Sequence, residues 1–200
     1  MGFGLLLIGY FLANILPVIS FFSVAMIPGF AMITVGLYRL APYHKRFYFS
    51  WLFSLPSSLF GLYYTLYSLV SIGIFPRLEA LGGTVFNVVE WIYLVYTLTL
   101  SLLILWSIAS LSSELGLYGI QSAAWRNLTF VAIYHTLFFI VKLPLAVITA
   151  HATAFVLPIT ILRYLCVFLN LWLFFRCLRD ILPEGSDIEV SNSSKEKKND

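Results

Sequence analysis

Thr84 to Ser110 reads TVFNVVEWIYLVYTLTLSLLILWSIAS, an apolar run in which Glu90 is the one charged side chain. As an α-helix it would be roughly 40 Å long, enough to cross the roughly 30 Å hydrocarbon core of a bilayer. Comparable stretches follow one another from Phe3 to Leu178, and among them Phe130 to Thr149 needs a Lys counted within it. The chain has 200 residues, of which 60% are hydrophobic and 10% charged. Its mean hydropathy is +0.93. A soluble core of this size cannot hide that much apolar surface, so the expected class is a polytopic integral membrane protein.

The formal charge of +3 is unevenly distributed. Residues 180–200 carry six acids against three lysines, a net of −3, while the rest carries nine Lys or Arg against Glu79, Glu90 and Glu114. The basic residues sit at expected helix ends, which suits anionic lipid headgroups and gives no continuous patch for nucleic acid. Cys166 and Cys177 fall in one expected helix, about 16 Å apart along its axis. That is beyond the roughly 7 Å limit for a disulfide, and it also forbids a shared metal ion. No metal and no cofactor are expected.

Proline and glycine divide the apolar runs. Residues 3–38 are too long for one span and short for two. Pro17 and Pro28, with Ser20 and Ser23 between them, favour a tight hairpin of 3–17 and 20–40 over a single kinked helix. Phe47–Phe75 is one span containing Pro56, and Pro76 to Gly83 makes a turn. Thr84–Ser110 spans again. Leu111–Arg126 is less apolar and reads as an interfacial loop or short amphipathic helix. Asn127–Arg179 must fold back once, near Ala150–Thr153, where Ala146, Ala150 and Ala154 allow close approach of two backbones. The expected fold is therefore all-α, a transmembrane bundle of six helices over residues 1–180, or five if the first hairpin is a single helix. Residues 181–200 read as a disordered tail.

Lys and Arg in short loops set the expected orientation. Arg39, Lys45, Arg46, Arg126, Arg176 and Arg179 all fall at one end, assigned to the cytoplasm together with the C-terminus. With six helices the N-terminus lies there too. A bacterial plasma membrane is the expected location.

Three charged residues fall inside expected spans, where each is costly unless it faces protein. Glu90 shares a helical face with Asn87, Tyr93, Thr97 and Ser101. His135, Lys142 and Thr149 recur every seven residues on the next helix. Thr160, Arg163, Asn170 and Cys177 form a stripe on the last. Three such stripes converge most simply on one bundle interior. Glu90 lies about 9 Å from the outer end of its span and Lys142 about 10 Å from Thr149, so antiparallel helices place them level as an ion pair. Arg163 lies deeper, near His135. One acid and two bases leave the interior net positive, which suits an anionic small molecule or a lipid headgroup. The candidate ligand-binding set is Glu90, Lys142, Arg163, His135 and Asn170. Pairing of the same charges for helix register alone is the competing reading. For His135 by itself, a buried, hydrogen-bonded ring is the preferred reading.

Catalytic signatures are missing: there is no HExxH, GxSxG, Walker A run or CxxC. Asn127-Leu128-Thr129 and Asn192-Ser193-Ser194 match a glycosylation pattern by chance. In size and span count alone, the chain resembles the substrate-binding components of energy-coupling-factor vitamin transporters. The expected function is a small transport-related or membrane-complex subunit, with membrane lipids around it and a partner membrane subunit or ATPase beside it. A structural subunit without ligand, and a lipid-acting membrane enzyme using Glu90 or His135 as base, are the alternatives.

Overall fold

A computed structural model of the chain describes residues 2–15, 23–71, 83–143 and 152–196, with side chains over 2–15, 24–71, 83–143 and 154–181. All the regular structure among these residues is helical. α1 spans Gly2–Asn14 and α2 Met26–Leu40, with a 3-10 turn at Ser23–Ala25 leading into α2. α3 is Lys45–Ser54, α4 Ser57–Ser71, α5 Thr84–Glu114, α6 Tyr118–Lys142 and α7 Ala152–Glu196. α5, α6 and the Ala154–Ile181 part of α7 are long and apolar enough to cross a membrane.

The first apolar run forms two helices, antiparallel and in close contact. Small residues set their separation. A Cβ added at Gly9 would lie 2.6 Å from the Gly29 carbonyl oxygen, and one at Gly36 would lie 2.9 Å from that of Gly2. Gly2 and Gly9 on α1, and Gly29 and Gly36 on α2, each recur after seven residues, so both pairs lie along one seam. At 13 and 15 residues, α1 and α2 are roughly 20 and 22 Å long, each shorter than a bilayer core.

Phe47–Phe75, read as one span, is broken within its described part. Pro56 lacks the N–H that would reach the Leu52 carbonyl, and Leu55 N–H donates to that oxygen instead, at 3.4 Å. The Ser57 hydroxyl donates to the Ser54 carbonyl at 2.6 Å, closing the gap between the helices. α3 and α4 still run as one column beside α2. Tyr38 packs on Trp51, Thr34 bonds Ser54, and Gly61 lies against Ile27.

Leu111–Arg126 corrects the sequence reading more sharply: it is neither a loop nor a separate interfacial helix. α5 continues to Glu114 and α6 starts at Tyr118. The turn between them is a Schellman motif, with Gly116 at φ +71°. Leu117 N–H donates to the Ser112 carbonyl at 2.8 Å and Gly116 N–H to that of Ser113 at 3.2 Å. These bonds satisfy carbonyls the helix end would otherwise leave open. The low apolarity of 111–126 is thus that of two helix ends meeting at a turn.

Neighbouring columns alternate in direction and close into a ring. α1 packs on α2, α2 on α3 and α4, α3 on α5, α5 on α6, α6 on α7, and α7 back on α1. One half of the ring is filled by apolar side chains, among them Phe3, Leu37, Phe47, Ile108, Ala124 and Phe174, all 3% exposed or less. The basic residues lie at the end of this half. Arg46 stacks on Trp106, His44 contacts Glu114 and the Arg176 guanidinium lies beside Gly119. The expected turn at 76–82 falls outside the described residues, and of the one expected at Ala150–Thr153, Ala152 and Thr153 already belong to α7 while 150 and 151 fall outside them. So does the Ala146–Ala150 contact, and the side chains of the tail beyond Ile181 do too.

Candidate functional site

The other half of the ring encloses a cavity of about 260 Å³. Every column contributes to its wall: Tyr10 from α1, Met26 from α2, Tyr64 from α4, Glu90, Tyr93 and Thr97 from α5, Tyr134 and His135 from α6, and Arg163 from α7. Helical spacing explains the α5 set, because positions 90, 93 and 97 follow one face. The expected convergence of polar stripes therefore occurs, though only in part. Asn87 and Thr160 are exposed, and Thr149 is outside the described residues.

Glu90 and Lys142 form an ion pair across α5 and α6. Their side chains are 27% and 32% exposed. Two features hold the pair in register. Trp91 packs edge-on against Phe139 at 5.0 Å, and Lys142 Nζ lies 5.5 Å over the Phe138 ring. Lys142 is the last residue of α6, so it sits at a helix end, where a cation is favoured by the helix dipole. The Ile140 carbonyl, which Pro144 cannot reach as a donor, accepts from Leu143 N–H at 3.1 Å.

His135 is buried, with Nδ1 2.8 Å from the Val131 carbonyl oxygen. A carbonyl can only accept, so Nδ1 carries the proton in the neutral ring and Nε2 is an acceptor. Nε2 points towards Thr97 Oγ1 at 3.5 Å, and that hydroxyl already donates to the Tyr93 carbonyl at 2.9 Å. The Nε2 lone pair thus belongs to the cavity wall.

Arg163 is the cation in excess. It lines the cavity and is itself an exposed residue. Tyr10, Tyr93 and Tyr134 line the same cavity. Among the described residues no acid pairs with it. Glu90 is paired with Lys142, which does not itself line the cavity, and Arg163 is the other charged residue of the described wall.

Asn170 has a different place. It is 1% exposed and does not line the cavity. Its Nδ2 donates to Tyr10 Oη at 2.9 Å, and its Oδ1 accepts from Asn127 Nδ2 at 3.2 Å. Asn127 Nδ2 also donates to the Leu169 carbonyl at 2.8 Å. This chain ties α1, α6 and α7 together and orients the Tyr10 hydroxyl; Asn170 reaches the cavity only through it. It also leaves Asn127 2% exposed in the folded chain. Cys166 and Cys177 are both free and buried.

The tyrosines are the wall residues that sequence reading passed over, apart from Tyr93. Their helical spacing was visible, but tyrosine is common in membrane helices and nothing local says that α1 faces α7. No group of three or more potential metal ligands exists among the described residues. No protein-family model, curated protein or solved structure matches this chain.

Proposed function

We propose that this chain is a non-enzymatic, transport-related or membrane-complex subunit whose intramembrane cavity binds a compact anion. The observation that carries this reading is Arg163, which lines the same cavity as four tyrosines and forms no ion pair among the described residues, the wall's acid, Glu90, being taken up by Lys142. Intramembrane cations are retained where they meet a partner, and here a ligand carboxylate or phosphate would be that partner. The size argues for a compact group. About 260 Å³ lies just under the roughly 300–1,000 Å³ of sites for drug-sized ligands.

The basic end is inferred to face the cytoplasm of a bacterial plasma membrane, with six columns spanning it. The packed half of the ring then closes the cytoplasmic side, which supports a binding role over a continuous channel. The sequence has no Walker run, so transport would draw energy from a partner membrane subunit or ATPase.

The test uses the detergent-solubilised full chain and a panel of small carboxylates and organophosphates. A matching anion at a hundred times its Kd should stabilise the fold by about 2.7 kcal/mol. Arg163→Met should abolish the effect, and the double exchange Glu90→Lys with Lys142→Glu should keep it. If no anion in the panel stabilises the folded protein, the proposal fails. A lipid-acting enzyme is the second reading, favoured by the acceptor Nε2 of His135 in the same wall. It requires turnover that His135→Ala removes without loss of folding.

A further inference from the structure

A second cavity, of about 630 Å³, lies on the outside of the ring between α3 and α5, well away from Arg163. Phe49, Leu52, Pro56 and Leu103 make it apolar along most of its length, and Lys45, Arg46 and Trp106 stand at one end. It exists because Pro56 breaks the column. On either side of the break Phe53 and Phe60 pack on Tyr96, with ring centroids 5.1 and 4.9 Å from it. Nearer the basic end the columns meet deeper, where buried Ser50 and Ser107 bond at 3.0 Å. Between these contacts the outer side chains diverge, and Phe49 and Leu52 stay 60% and 50% exposed.

We propose that this groove holds one anionic phospholipid, with an acyl chain along α3 and the phosphate on Lys45 and Arg46. Length, volume and charge agree on that occupant. α3 has 10 residues, roughly 15 Å, which is half of a roughly 30 Å hydrocarbon core. The groove is thus one leaflet deep, with its cations at headgroup height. Its volume lies within the range of sites that enclose a small ligand. Arg46 is held at 4.3 Å over the Trp106 ring, an arrangement that leaves the edge of a planar guanidinium available to phosphate oxygens. Both cations stand in the first turn of α3, where the helix dipole disfavours positive charge. A phosphate there relieves that repulsion. A second apolar helix would fill the groove but leave both cations without a counter-charge.

Native mass spectrometry of the purified full chain, together with thermal titration by phosphatidylglycerol, phosphatidylcholine and inorganic phosphate, tests this. Phosphatidylglycerol should remain bound and should bind more tightly than phosphatidylcholine, by on the order of tenfold to thirtyfold for two interfacial cations. Inorganic phosphate at the same concentration should not stabilise. Lys45→Gln alone, at an exposed residue, should lower the preference severalfold with no loss of folding, and Lys45→Gln with Arg46→Gln should abolish it. Leu103→Trp, which fills the groove, should remove the retained lipid of either kind. Equal binding of the two lipids by the unmodified protein, an undiminished preference in the double variant, or equal stabilisation by inorganic phosphate would each overturn the assignment.

Discussion

Replacing Lys142 with Met keeps the length of the side chain and removes its charge, leaving Glu90 without a partner beside the cavity. The cost follows from the burial of the pair. Exposed ion pairs contribute about 0–1 kcal/mol, whereas breaking a fully buried one costs about 3–5 kcal/mol. With roughly 70% of each side chain covered, the expected loss is about 2 kcal/mol. For a chain of this size that corresponds to a fall of about 4–8 °C in melting temperature. Glu90→Gln should cost less, because the Lys142 ammonium keeps the Phe138 ring and the end of α6 as partners. The decisive variant is the exchange Glu90→Lys with Lys142→Glu. It preserves the pairing while reversing both charges, so it should recover more than half of the loss seen in Lys142→Met. Thermal unfolding in one detergent, followed by tryptophan fluorescence, reads all four proteins, and Trp91 lies next to the pair in sequence. An exchange variant no more stable than Lys142→Met would refute the reasoning. So would a Lys142→Met protein as stable as the original.

Two further outcomes follow from the packing. Gly9→Val drives a branched side chain into the Gly29 backbone, where even a Cβ would sit at 2.6 Å. Overpacking of this kind costs about 1–3 kcal/mol, whereas Gly4→Ala, whose Cβ would meet only Leu178 at 3.8 Å, should leave the thermal midpoint nearly unchanged. Asn170→Ala removes the donor to Tyr10 and the acceptor for Asn127 in a buried site. The expected loss is about 2–3 kcal/mol, with faster amide exchange in α1, and unchanged exchange there would show that the chain of bonds does not hold the ring closed.

How far the site could be read from residues alone depended on the distance in sequence over which each inference reached. Glu90 and Lys142 were legible as a pair because helical rise is constant and consecutive helices run antiparallel, so depth can be counted from each helix end. The hairpin before Leu40 was legible because proline removes a donor. By contrast, Leu111–Arg126 was misread. Two polar helix ends and one glycine in the left-handed region have the composition of a loop, and only the bonds from Leu117 to Ser112 and from Gly116 to Ser113 tell them apart. Asn170 looked like a ligand-facing residue because it shares a stripe with Arg163. Its amide turns instead to Tyr10, 160 positions away in the chain.

Apolar length and spacing by themselves determined that the chain is helical, that it carries segments able to cross a bilayer, and which charges lie at equal depth. Those properties follow from a fixed rise per residue and from the cost of placing charge in hydrocarbon, both of which act locally. The tertiary structure alone decided that the first helix meets the last, that glycines set the α1–α2 distance, and that tyrosines from four helices line one cavity with Arg163. Contacts between residues far apart in the chain depend on how whole surfaces fit, and no stretch of sequence contains that information by itself.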